Sequence, residues 1–162
     1  MKKLLLSLLC VVFVSAYAIS AETTYTGEVT SLHSLGANVK TVTLNDVSWN
    51  IDAEWYSNSY TQRDGSPNRF TFGSSTNPLK SLNFNTTYFK GKAISEVKVS
   101  TRQQGAKAQT SVYVQVGTVK SKTYDLSTGA TTGAPVEKIF TFDTPVVADK
   151  IEIIWENSNT ST

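Results

Sequence analysis

RFTFGSSTNPLKSLNF, residues 69–84, sets two short alternating apolar runs on either side of a patch of Gly, Ser, Thr, Asn and Pro. Phe70 and Phe72 form one pair and Leu82 and Phe84 the other, and residues two apart on an extended chain share a face. A phosphate-cradling loop needs glycines opening a helix, so that backbone N–H groups converge on the anion. Here Gly73 stands alone and no 3.6-residue period follows it. The stretch reads instead as a handover between strands, with Gly73 permitting a bend and Pro78 starting the return.

The same period of two recurs outward in both directions. It places Val42 with Leu44, then Val47, Trp49 and Ile51 together, and later Val97 with Val99. Val112, Val114 and Val116 alternate with Tyr113; Phe140 and Phe142 follow, then Ile151, Ile153 and Trp155. Turn-rich segments separate these runs at residues 64–67, 101–109 and 127–135 and at Thr144-Pro145. Short strands at this spacing predict an all-β, antiparallel two-sheet sandwich, jelly-roll-like, with Phe72, Leu82, Val97, Val114 and Phe142 inward. The sandwich is expected over residues 41–162. Residues 22–40 read as an early strand, through Tyr25, Val29 and Leu32, or as a linker.

Residues 1–21 have a secretory layout: Lys2 and Lys3, an apolar run, then small residues that suit cleavage after Ala18 or Ala21. The apolar run is shorter than the ~20 residues a spanning helix needs, so a signal peptide and a secreted product, extracellular or periplasmic, are expected. Cys10 falls inside that run behind the bulky Leu9, which does not suit lipid attachment. The chain carries 15 Lys+Arg against 13 Asp+Glu, and the signal takes Lys2 and Lys3 with it. The remaining chain is neutral and free of cysteine. Neither a nucleic-acid partner, nor a membrane span in the mature chain, nor a disulfide framework is expected.

Catalytic constellations are thin. His33 is the single histidine and Cys10 the single cysteine, so Ser-His-Asp, Cys-His and His-rich metal sites lack members. Asp52 and Glu54 share a strand face and form the nearest thing to a carboxylate pair for glycoside hydrolysis; both also suit solvated positions. Asp64, Ser66 and Asn68 alternate oxygens around Gly65 without the acidic loop of a calcium site. No cofactor or metal is expected.

The segment EWYSNSYTQRDG breaks the alternation and gathers aromatic planes with hydrogen-bonding groups. Trp55, Tyr56 and Tyr60 offer faces for sugar C–H groups, and Asn58, Gln62, Arg63 and Asp64 offer partners for hydroxyls. The alternative is that Trp55 folds back to cap the sandwich edge, as large aromatics often do.

Around this segment the chain resembles a β-sandwich module of secreted and surface proteins of gut Bacteroidetes and some Firmicutes. The resemblance spans roughly residues 42–155. It rests on the Trp49 strand, the aromatic loop after it, and the F-G-S-S-x-x-P-x-x-S element at residues 72–81. Arg69 and Thr71 stand there where the family has Gly and Gln. Ile94, Val97 and Val99 follow, then Val114, Val116 and Gly117. The resemblance implies a jelly-roll of galactose-binding-like shape, set beside catalytic domains, extracellular nucleases among them, in multidomain relatives. It also implies a closing strand after the one holding Trp155; the sequence given stops at residues 156–162, which is expected either of a piece of a longer protein or of a member without that strand. The expected function is a non-catalytic binding or display module for a polysaccharide or surface glycan. A structural or protein-interaction accessory domain of a larger secreted protein is the alternative, and a glycoside-type hydrolase the most distant one.

Overall fold

The computed structural model describes residues 25–27, 40–56, 62–65, 69–72, 78–103, 108–127 and 135–158, with the backbone alone for 62–65 and 69–71. The expected signal segment and His33 lie outside them. The described residues form strands and turns and no helix. In chain order the strands are β1 (Thr41–Leu44), β2 (Val47–Trp55), β3 (Gln62–Gly65), β4 (Arg69–Phe72), β5 (Leu79–Thr86) and β6 (Ala93–Thr101). Then come β7 (Thr110–Val116), β8 (Val119–Lys120), β9 (Tyr124–Asp125), β10 (Val136–Val147) and β11 (Ile151–Asn157).

Seven of these make one antiparallel sheet in the order β1-β2-β5-β11-β7, with the short β8 and β9 sharing the edge beyond β7. Asn45 and Asp46, both at positive φ, close the two-residue β1–β2 turn. A tight hairpin whose twist matches its strands requires this conformation, and Asn and Asp tolerate it better than bulkier residues. β6 and β10 form a second antiparallel sheet packed on the first, and β3 and β4 form a separate hairpin.

The alternation seen in the sequence becomes the partition of the large sheet. Val47, Trp49 and Ile51 of β2 are buried while Ser48, Asn50 and Asp52 are exposed. The core has two parts. Val42, Leu44, Trp49, Leu82 and Phe84 pack with Phe72 of β4 and with Tyr25. Val112, Val114, Val116, Phe140 and Phe142 pack with the inward side chains of β6. Phe89, Ile153 and Trp155 touch both. All five residues expected inward belong to this core, Phe72 and Val97 at its partly buried margin.

Strands stand on either side of the expected handover between residues 69 and 84, in different sheets, while Gly73 and its bend lie outside the described residues. β4 pairs with β3, whereas β5 lies between β2 and β11. Phe72 and Phe84 meet edge to face across the gap, centroids 5.8 Å apart at 88°.

Two segments read as turns differ in the structure. β3 runs through Asp64 and Gly65, while Ser66 and Pro67 of the same expected turn lie outside the described residues. Thr144 and Pro145 lie within β10, where the register with β6 slips between Thr141 and Val146. Proline has no N–H for a ladder, and a bulge in a two-stranded sheet is where it fits a strand at all. Of residues 22–40, Tyr25–Gly27 carry no strand. The Tyr25 hydroxyl donates to the Leu44 carbonyl and Asn45 Nδ2 donates to the Thr26 carbonyl at 2.6 Å, pinning the segment to the β1–β2 turn.

Candidate functional site: the polar face of the large sheet

The aromatic segment after β2 is the first place to look. Trp55 and Tyr56 are half-buried, and the Trp55 indole nitrogen is turned inward, out of solvent. Tyr56 N–H donates to the Pro78 carbonyl at 3.2 Å, and its hydroxyl donates to the Asn157 carbonyl at the end of β11. Gln62, Arg63 and Asp64 lie on β3, where they are placed by backbone only. Asn58 and Tyr60 lie outside the described residues. The two aromatics that can be followed are therefore fastened to the end of the sheet.

The face of the sheet turned away from the core is more informative. Register brings its polar side chains into rows across the strands. Asn50, Asn85, Glu152, Gln115 and Lys120 form one row, and Asp52, Asn83, Ile154 and Tyr113 the next. Glu54, Ser81, Glu156, Ser111 and Asp125 form a third. Facing side chains on neighbouring strands stand about 5 Å apart, which is hydrogen-bonding reach for these types. Asn85 donates to Asp52 at 3.0 Å, and its Oδ1 accepts from Asn50 at 3.4 Å. Asn83 donates to Glu152 at 2.9 Å, and Lys150 pairs with the same oxygen at 2.8 Å. Tyr113 donates to Glu156 at 3.2 Å, and the Lys120 ammonium sits 3.5 Å above the Tyr113 ring centroid. Asn85 and Tyr113 are each only 8% exposed although they face away from the core.

Electrostatics follow from these contacts. Burial acts to raise the Glu152 carboxyl, but the Lys150 and Asn83 hydrogen bonds outweigh it and the net shift is downward. Burial, then the neighbouring Glu156 and Glu152 charges, push the Tyr113 hydroxyl up. The exposed Asp125 is held below the ordinary carboxylate range by the side chain and then the N–H of Ser127, 2.6 and 2.7 Å away.

The third row runs out into a shallow, open depression where β7, β9 and β11 meet, and every residue lining it has a hydrogen-bonding side chain. Ser111 and Glu156 come from the row, Asp125 and Ser127 from the β9 edge, and Gln109 and Asn157 from the strand ends. Asn157 is the hub. Its Oδ1 accepts from Gln109 N–H at 3.0 Å, its Nδ2 donates to the Leu79 carbonyl at 2.9 Å, and its own carbonyl holds Tyr56. The aromatic segment and the depression are thus joined at one end of the sheet.

Chemically this is a field of donors and acceptors. Glu156 and Asp125 flank Ser111 on adjacent strands, so their backbones stand about 10 Å apart, twice the strand spacing. Among the described residues, the carboxyls whose shift is resolved, Asp125 and Glu152, both go down, whereas a proton-donating acid working at neutral pH needs the reverse. Asp52 and Glu54 are exposed, as expected, and are tied to Asn85 and Lys80. Among the described residues no cluster of three His, Cys, Asp or Glu side chains is placed to hold a metal, and no helix is long and apolar enough to cross a membrane.

No family model matches the chain, and no curated protein or solved structure matches it either.

Proposed function

We propose that this protein is a secreted, non-catalytic binding module for a polysaccharide or surface glycan, built on a jelly-roll-like sandwich. The depression at the meeting of β7, β9 and β11 carries the reading, because each residue lining it brings a hydrogen-bonding side chain, with donors and acceptors mixed over the carbon of the same side chains. Polyhydroxylated ligands suit such a surface, since each hydroxyl both donates and accepts while rim water is displaced at little cost. Tyr56 is tied to the same end of the sheet through its hydroxyl, which donates to the carbonyl of the lining residue Asn157. The test is affinity electrophoresis of the chain from residue 22 onward in gels containing β-glucan, xylan, mannan or pectin. Retardation by one of these, weakened by Glu156→Gln, is the expected result. Migration unaffected by every polysaccharide overturns the reading.

A second reading is an accessory structural or protein-interaction domain of a larger secreted protein. The inward-turned Trp55 nitrogen favours it, because a ring so placed braces the fold and has less face to offer a sugar. Secretion itself rests on residues 1–21. N-terminal sequencing of the exported product should begin at Ile19 or Glu22, and a retained Met1 would exclude the signal peptide.

A further inference from the structure

At the end of the large sheet opposite the depression, the turn between β5 and β6 carries Tyr88, which is 62% exposed. An exposed tyrosine on an open turn ordinarily samples several rotamers, so its ring has no fixed plane to offer. This one is braced. Its ring meets Phe89 edge-on, centroids 5.2 Å apart at 83°, and leans on Tyr25 at 6.3 Å. Phe89 is anchored in turn by Tyr25 at 5.3 Å and Trp49 at 6.5 Å, and it packs against both parts of the core.

The backbone beneath is equally fixed. Tyr88 N–H donates to Thr86 Oγ1 at 3.2 Å, Lys90 N–H to the Thr87 carbonyl at 3.0 Å, and Lys92 N–H to the Phe89 carbonyl at 2.8 Å. Gly91 at φ +74° supplies the left-handed step that the turn requires. Phe89 and Tyr25 pack against the core here, whereas Tyr88 belongs to neither core cluster and is mostly exposed. What remains is a flat aromatic surface on a rigid mount, bordered by the Asn45-Asp46 turn through Tyr25 and by the exposed Lys90 and Lys92.

We propose that Tyr88 is a stacking seat for a sugar ring and gives the module a second glycan contact. The inference rests on the glycan reading above and extends it. The weakly positive C–H face of a pyranose lies on the electron-rich face of the ring, while the neighbouring charged groups take its hydroxyls. The two contacts are separated along β11 by about 20 Å, so a polymer can engage both and a short oligosaccharide only one. An anionic bilayer is the competing partner for an exposed tyrosine near lysines. It gains little here, because Lys90 is paired with Asp149 at 3.5 Å and Asp46 adds a negative charge near the Tyr25 that braces the ring.

The experiment compares the parent, Tyr88→Ala, Tyr88→Phe and Tyr88→Trp in the same polysaccharide gels, with Glu156→Gln alongside and sedimentation with phosphatidylglycerol vesicles as a separate arm. On the polysaccharide that retards the parent, Tyr88→Ala is expected to weaken retention about tenfold or more, as loss of a central aromatic contact does. Tyr88→Phe keeps the retention, Tyr88→Trp increases it, and all three melt near the parent temperature. Retention unchanged in Tyr88→Ala but lost in Glu156→Gln overturns the Tyr88 seat and leaves the glycan reading standing. Sedimentation with vesicles that depends on Tyr88, without polysaccharide retention, replaces the sugar with a lipid surface. A parent retarded by no polysaccharide overturns both.

Discussion

Trp155 of β11 donates its indole N–H to Thr101 Oγ1 of β6 at 2.9 Å, a side-chain hydrogen bond that crosses from the large sheet to the small one. The same indole packs edge to face on Phe84, centroids 6.0 Å apart, and touches both parts of the core. Thr101→Val keeps the shape and removes the acceptor, leaving a part-buried donor unmet at a cost of about 1–3 kcal/mol. Urea denaturation should show that loss, and Trp155→Phe in the Thr101→Val background should add less than it does in the parent. Full additivity of the two changes would mean that the bond does not couple the sheets.

Phe140→Ala is expected to be among the most damaging single truncations. Phe140 is fully buried between the sheets and meets the Tyr124 ring edge-on at 5.2 Å. Its removal should cost about 3–5 kcal/mol. Phe72→Ala, at the margin of the other core cluster, should cost less, because part of that side chain already meets solvent. Equal urea midpoints for the two variants would contradict this ordering.

Acid should erode stability through Glu152. Its carboxyl lies below the ordinary value in the fold, so across that interval the unfolded chain binds the proton more tightly than the native one. The stabilisation is complete above the ordinary carboxylate pKa of about 4.3 and is lost as pH falls through the depressed folded value. Glu152→Gln should lower the urea midpoint at pH 7 and flatten its decline from pH 5 to pH 3. Lys150 is well exposed, so solvent keeps the effect modest. An unchanged slope would remove Glu152 from the account.

Trp55→Ala separates the two roles weighed for the aromatic segment. With its indole nitrogen turned inward, the substitution should lower the melting temperature. Tyr56→Phe should lower it by less, through loss of one hydrogen bond worth about 1 kcal/mol. If Trp55→Ala melts like the parent yet loses polysaccharide retention, the Trp55 ring is the sugar platform after all.

Period-two alternation made the strands and their inward faces legible, because burial selects one parity and Trp49, Leu82, Val114 and Phe142 all follow it. Parity does not say which sheet a strand joins. β4 and β5 therefore read as consecutive neighbours, although they pair with different partners. Pro145 reads as a turn because the local signal for a turn and for a bulge is the same residue. The polar rows were invisible for another reason: Asn50, Asn85 and Glu152 are far apart in sequence and meet only through register. Tyr88 gave no compositional signal, since its support comes from Tyr25 and Trp49 on other segments.

Asn85 begins the tripeptide Asn85-Thr86-Thr87, the acceptor pattern that eukaryotic secretory machinery decorates with N-linked glycans. In the folded protein its amide nitrogen is committed to Asp52, and Thr86 beside it is almost wholly buried, its hydroxyl donating to the Ser48 carbonyl at 2.8 Å. A glycan attached there during synthesis would have no room once β5 settled between β2 and β11, so that copy of the chain could not complete the sheet. Production in yeast or mammalian cells should therefore divide the product into an unmodified native fraction and a modified, misfolded one. Thr87→Ala, which abolishes this acceptor at an exposed position and leaves the one at Asn159-Thr160-Ser161, should remove the misfolded fraction.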